Sequence, residues 1–275
     1  MKTAADKTVL VTGAAMGLGK LFATRAVAEK AKAVVLWDIN EEALKATAAE
    51  LEAAGGNVST YVVDVSSQDS IAEAAKLVRE NVGTVDILFN NAGIVRGNSY
   101  FWETANRRDI EQTMAINSLA PMYIALEFVP GMIESGNESR VVNIASSAGL
   151  VSNPRMAVYA ASKWAALGWS DSLRLELEQA KHDHIKVTTV CPTYINTGMF
   201  EGAKGILFTP MLEQEDVVKA SWDAMKKGDP FVILPWTSRL NKVLSGVLPL
   251  RIKDGLLNLI GVYHSMDDFK GHDKK

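Results

Sequence analysis

Tyr159 and Lys163 stand four residues apart in YAASKWAAL, a run otherwise made of small and apolar residues. Four residues is about one helical turn, so the phenol and the ammonium share a face. An unperturbed phenol titrates at about 10. A cation one turn away favours the phenolate and lowers that value, making the tyrosine a general acid or base for proton transfer at neutral pH. The plainer alternative is an amphipathic helix whose lysine packs its stem and leaves its ammonium in water.

A second chemical signal precedes this pair. TGAAMGLG sets Gly13, Gly17 and Gly19 at G-x-x-x-G-x-G between a short β-branched run and a helical pattern. Glycines there give tight turns and a backbone with no Cβ near a pyrophosphate, whose charge is met by helix N-terminal amides. The same glycines also serve turn geometry alone. Asp38, 25 residues after Gly13, closes the next β-branched run; that offset is near the roughly 20 residues at which a carboxylate accepts the adenosine ribose hydroxyls. Its charge repels a 2′-phosphate, and Ala14, Ala15, Met16, Ile39 and Asn40 supply no cation to offset it, so NAD is expected over NADP. Aspartate also opens helices, the other reading of Asp38.

The elements that must carry these groups alternate along the chain. TVLVTG (8–13), AVVLWD (33–38), STYVVDV (59–65), VDILFNNAG (85–93), RVVNIASS (140–147), IKVTTVCP (185–192) and FVILPW (231–236) read as strands, separated by helix-period stretches such as NEEALKATAAELEAAGG. Strands apolar at nearly every position suit a parallel sheet covered on both faces. The pattern predicts an α/β fold over 1–275, a single doubly wound Rossmann-type domain with a parallel seven-stranded sheet. In such a sheet ligands collect beyond the carboxyl ends of the strands, where the glycine loop, Asp38, NNAG, SSAG and PTYINTG all fall.

Composition narrows the partners. The formal charge of −3 gives no general attraction to nucleic acid. The single cysteine, Cys191, excludes an intrachain disulfide. The apolar run near the start is too brief for a signal-peptide core, and Arg251, Lys253 and Asp254 interrupt GVLPLRIKDGLLNLIGV before the roughly 20 residues of a membrane span. No span is expected at either end, and a cytoplasmic location is. The four histidines have no metal-site spacing, so no metal is expected.

TGAAMGLG, the acidic residue of YVVDV, NNAG at 90–93, NIASSAG at 143–149 and YAASK at 159–163 occur in the order and at the spacings of the short-chain dehydrogenase/reductase family, which residues 7 to about 236 resemble. CPTYINTGMF and SMDDF are similar to the branch with retinol, 17β-hydroxysteroid and other lipophilic-alcohol dehydrogenases. The resemblance implies a nicotinamide cofactor along Gly13, Met16, Gly17, Leu18 and Gly19, then Asp38, Asp64 and Val65, then Asn91, Ala92 and Gly93, with Tyr159, Lys163, Pro192, Ile195 and Thr197 at its other end. Asp64 would meet the adenine and Asn91 the adenosine side. It implies four catalytic residues: Tyr159 and Lys163, Ser146 beneath the substrate oxygen, and Asn117 holding a water in a proton relay. Both Ser146 and Ser147 end the fifth strand; the family's count of thirteen residues back from Tyr159 selects Ser146. Thr193 departs from the pattern, standing where the family commonly has glycine. Family members are commonly homotetramers or homodimers built on the helices that carry Asn117 and Tyr159.

The expected activity is NAD-dependent interconversion of a hydrophobic or aromatic secondary alcohol and its ketone, the substrate meeting Ser146, Asn153, Met156, Tyr194, Met199 and Phe200. An alternative is a silent NAD(H)-binding regulator, which needs the glycine loop but no proton relay. Residues 194–210, glycine-punctuated and rich in large apolar side chains, read as a substrate lid. Residues 237–275 read as a helical extension. Its apolar residues at helix spacing, with Arg239, Lys242, Arg251 and Lys253 nearby, suit packing on the sheet or on another subunit, with peripheral membrane contact the other option.

Overall fold

The computed structural model describes residues 1–96, 99–103, 106–197, 202 and 204–269. Seven strands, β1 (Thr8–Thr12), β2 (Ala33–Asp38), β3 (Val58–Val62), β4 (Ile87–Asn90), β5 (Ser139–Ile144), β6 (Ile185–Pro192) and β7 (Phe231–Leu234), form one sheet in the order β3-β2-β1-β4-β5-β6-β7. Every pairing is parallel. The chain winds outward in one direction from β1 to β3 and in the other from β4 to β7. The reversal between β1 and β4 opens the crevice that a doubly wound sheet offers a ligand.

Alternate residues of each strand go to opposite faces. Val9, Val11, Val34, Leu36, Ile87 and Phe89 pack under α1 (Gly17–Ala28), α2 (Glu41–Ala53) and α7 (Gln214–Lys227). Leu10, Val35, Trp37 and Leu88 pack on the other side, under α3 (Gln68–Asn81), α5 (Ala120–Ser135) and α6 (Ala157–Gln179). Phe89 stacks between Phe22 and Trp222, with ring centroids 4.5 and 5.5 Å away. Burying each such side chain contributes roughly 1.5–3 kcal/mol before entropy is counted. Local chemistry marks the helix ends: Asn40 Oδ1 accepts from Ala43 N at 3.0 Å to cap α2, and α5 stops at Gly136, whose φ of 64° is left-handed.

α4 (Arg107–Met114) runs into α5 through five residues of wider π-helical winding, Ala115–Leu119. The combined helix, Arg107–Ser135, is long and apolar enough to cross a membrane, but Ile124, Phe128 and Met132 bury its inner face in the sheet core. After β7 come α8 (Trp236–Val247) and α9 (Leu250–Leu259).

Candidate active site

The strand ends enclose two cavities that meet. One, of about 570 Å³, runs from the glycine loop across β1, β2 and β4 to α6. It is lined by Gly13, Met16, Gly17 and Leu18, by Asp38, Asp64 and Val65, by Asn91, Ala92 and Gly93, and by Tyr159, Lys163, Pro192, Ile195 and Thr197. The other, of about 530 Å³, is walled by Ser146, Asn153, Met156, Tyr159 and Tyr194, with Ile206, Leu207 and Phe208 from the segment between β6 and α7. Ser146, Tyr159 and Thr193 line both. Met199 and Phe200 lie outside the described residues.

Gly19 does not line the crevice. A Cβ there would collide with the Gly13 carbonyl, so its glycine lets α1 start tightly beneath the loop. Gly13 has a φ of 63°, and a Cβ on it would sit 3.0 Å from Ala92 Cα, so the two loops approach as only a bare backbone permits. Asp38 Oδ2 accepts from Ala15 N and Oδ1 from Asn40 N, both at 2.9 Å. Asn40 rather than Asp38 caps α2, leaving the Asp38 carboxylate fixed at the crevice edge. Asn91 turns inward: its Nδ2 donates to the carbonyls of Thr12 (2.9 Å) and Gly13 (3.1 Å). Its side chain therefore braces the glycine loop, and its place in the crevice wall comes with the backbone. Thr12, absent from the sequence expectations, completes the brace, its Oγ1 accepting from Asn91 N and Ala92 N at 3.0 Å.

Around Tyr159 the reactive groups come from three parts of the fold. Ser146 lies two residues beyond β5, and its Oγ accepts from Ala148 N at 3.1 Å. Ser146 rather than Ser147 reaches both cavities, and its hydroxyl donates to the Pro192 carbonyl at 3.5 Å. Lys163 Nζ donates to Ile144 O at 3.0 Å and lies 5.7 Å from the Tyr159 ring centre. Asn117 sits in the π-helical winding behind Gly93. Its Oδ1 accepts from Ile94 N at 2.9 Å, and its Nδ2 donates to Ile94 O (2.9 Å) and Ser162 Oγ (3.1 Å). The Asn117 side chain is thus a clamp on the chain after NNAG.

The titration of the pair also corrects the sequence argument. Burial pushes Tyr159 up to about 12, with the Ser146 hydroxyl working against the rise and the nearby Tyr194 adding to it. Burial also brings Lys163 down to about 8. Desolvation outweighs attraction here, because both groups are enclosed. The isolated site holds a protonated phenol, which is an acid.

Three further features escaped the sequence. Asn153 Oδ1 and Thr193 Oγ1 are buried without a hydrogen-bond partner among the described residues. Asn90 Nδ2 donates to Asn143 Oδ1, Asn143 Nδ2 to Ser170 Oγ, and Ser170 meets Thr189 Oγ1, at 2.8, 2.8 and 2.7 Å, a buried polar line beneath the strand ends. Trp236, Leu240 and Leu244 of α8, with Leu256 and Leu257 of α9, wall the second cavity, so the tail packs internally. Its outer face exposes Val243, Val247, Leu250 and Leu259 on helices that also carry Arg239, Lys242, Arg251 and Lys253.

A model of the short chain dehydrogenase family matches residues 7–204. The chain belongs to this short-chain dehydrogenase family. It is 35% identical to mouse epidermal retinol dehydrogenase 2 over 277 residues, covering 100% of this chain and 88% of that one. It is 36% identical to estradiol 17-beta-dehydrogenase 11 of Pongo abelii, covering 95% of this chain and 85% of the relative. The likeness thus extends to the retinol and steroid branch suggested by CPTYINTGMF and SMDDF. A crystal structure of a short-chain dehydrogenase/reductase from Burkholderia phymatum in complex with NAD superposes with a TM-score of 0.80 at 26% identity, over 90% of this chain and 96% of that one. This short-chain dehydrogenase has the fold of an NAD-binding protein and the sequence affinities of alcohol oxidoreductases.

Proposed function

We propose that the chain is an NAD-dependent oxidoreductase interconverting a hydrophobic or aromatic secondary alcohol, of retinoid, steroid or simpler type, with its carbonyl product. The observation that carries this reading is the meeting of the two cavities: Tyr159 and Ser146 line both the glycine-loop crevice and the apolar cavity, so one hydroxyl pair faces cofactor and substrate together.

The crevice fits a dinucleotide on three counts: a loop whose Gly13 tolerates no Cβ, a fixed carboxylate at Asp38 with Met16 and Ile39 beside it, and Lys163 at the far end. When bound, NAD supplies the hydride acceptor and NADH the donor. Tyr159 protonates the forming alkoxide in reduction and takes the alcohol's proton in oxidation. Ser146 hydrogen-bonds the substrate oxygen as charge gathers on it. Lys163, which lines the crevice, would hold the cofactor's ribose hydroxyls, and its charge would stabilise the phenolate when oxidation requires one. Asn117 keeps the Gly93–Ile94 chain against the crevice. We place the enzyme in the cytoplasm as a homo-oligomer, with the cationic apolar face of α8 and α9 available for peripheral contact.

The test is a panel of aliphatic, aryl, steroid and retinoid alcohols and ketones, assayed with both cofactors through the absorbance of the reduced nicotinamide. Tyr159→Phe is expected to cut kcat at least 10³-fold, an order-of-magnitude expectation for a lost general acid, while the Kd for NADH moves less than about 3-fold. Cofactor binding with no turnover across the panel would favour the silent regulator.

A further inference from the structure

The substrate cavity draws its walls from segments far apart in the chain, and one residue of the tail touches three of them. Ser265 is fully buried. Its hydroxyl lies 2.8 Å from Tyr194 Oη and 3.0 Å from Asn153 Nδ2, and Asn153 Nδ2 also reaches Tyr194 Oη at 3.2 Å. Its carbonyl accepts from Lys204 N, in the lid loop, at 2.8 Å. Next to it, Met266 packs with Met156, Tyr159 and Tyr194. We propose that Ser265 is a positioning residue for substrate: through its hydroxyl and carbonyl, the tail holds the lid, Tyr194 and Asn153 as one wall beside the catalytic tyrosine.

Proton counting gives the triangle a direction. Ser265 Oγ donates its proton to Val262 O at 2.7 Å. The short contact with Tyr194 is therefore a bond donated by the tyrosine. Both hydroxyl oxygens accept from Asn153, which makes the facing amide atom its NH₂. All three side chains are thus held in one arrangement, and removing the central oxygen takes away one acceptor shared by Tyr194 and Asn153 in a buried place. The surrounding contacts pull the same way: Leu207 N donates to Ile260 O at 3.0 Å, Arg155 Nε lies 3.4 Å from Asp267 Oδ1, and Lys204 Nζ lies 2.8 Å from Asp268 Oδ2. None of these groups lines the glycine-loop crevice. The role is therefore expected to show in substrate binding and not in cofactor binding.

This inference rests on the proposed reaction, and the experiment separates the two. In a Tyr159→Phe background loaded with NADH, the equilibrium Kd of 4-phenyl-2-butanone, or of the tightest ketone in the panel, is measured by calorimetry with and without Ser265→Ala. A weakening of about 10-fold is expected, in line with one lost buried hydrogen bond and a loosened wall, with the Kd for NADH unchanged within about 2-fold. Tyr194→Phe is expected to weaken the ketone similarly, and the double variant no more than the larger single one, because both act through one contact. An unchanged ketone Kd, additive effects, or an equal loss in NADH binding overturns the inference; should Ser265→Ala not fold, Tyr194→Phe and Asp268→Asn carry the same comparison. Failure of the unmutated enzyme to turn over a ketone that binds tightly overturns the reaction and leaves the wall standing.

Discussion

At the scale of single residues, the site shows how burial competes with neighbouring charge. Lys163 titrates at about 8 against an ordinary 10.5. Between those values the unfolded chain binds a proton that the folded one has released, so stability contributed by this residue rises with pH across that window. Below about pH 8 both states carry the charge, and the full desolvation penalty stands. Tyr159 acts oppositely but only between its ordinary 10 and about 12, outside a scan that ends at pH 10. Lys163→Met is therefore expected to raise the Tm of the cofactor-free protein at pH 7 by about 5 °C, with the advantage shrinking towards pH 10 while activity is lost. Scanning fluorimetry across pH 6–10 checks this, and an advantage that does not change with pH would contradict it. Asp38→Asn removes charge while retaining an acceptor for Ala15 N or Asn40 N; the NAD-over-NADP ratio of kcat/KM is expected to fall at least 10-fold, on the order of one lost repulsion in partly screened surroundings. An unmoved ratio would place cofactor selection elsewhere. Tyr159, Lys163 and Asp38 were legible in the sequence because spacing along a helix or after a strand fixes where a side chain lies. Their proton affinities were not, since enclosure depends on residues more than a hundred positions away, such as Met266 against Tyr159.

At the scale of elements, all seven strands were legible, because β-branched runs buried on both faces leave a plain apolar signal. Their ends were less so: residues 91–93 of NNAG and all of SSAG lie beyond β4 and β5, which stop at Asn90 and Ile144. The π-helical winding at Ala115–Leu119 was invisible, since one widened turn leaves the apolar pattern almost intact. Yet it seats Asn117 where Ile94 and Ser162 occupy its amide, in keeping with such windings at functional sites. The polar line Asn90–Asn143–Ser170–Thr189 was equally hidden, being a product of register: Asn90 pairs with Asn143 and Asn143 with Thr189 across parallel strands. Asn143→Leu takes the acceptor from the amide of Asn90 and one of the two side-chain partners from the hydroxyl of Ser170 in the buried sheet. The expected loss is about 2–4 kcal/mol, read as a lowered denaturant midpoint with an unchanged slope. A loss below about 0.5 kcal/mol would show that the line is ornamental to stability.

At the scale of the whole molecule, two of the exposed apolar faces differ in charge, and the difference assigns them different roles. α8 and α9 carry four cations and one carboxylate, Asp254, which the Tyr263 hydroxyl engages, so a two-fold contact of this face with itself would set like charges together. The outer face of α5 and α6 differs. Leu119 and Leu126, seven residues apart, and Trp164 and Leu175, eleven apart, are all exposed at spacings that return to one side of a helix. Arg174 between Asp171 and Glu178, and Arg79 with Glu127, give that region charges of both signs, which suits a self-complementary contact. These are also the helices that hold Asn117 and Tyr159, so an interface there would stiffen the site from behind. Sedimentation velocity at micromolar concentration is expected to give a dimer or tetramer. Leu126→Glu with Trp164→Glu is expected to give a monomer, because burying two carboxylates in a contact of roughly 800 Å² per partner costs more than such an interface supplies. A wild-type monomer, or an oligomer indifferent to both substitutions, would remove this face from the assembly and leave α4 through α6 as supports of the active site alone.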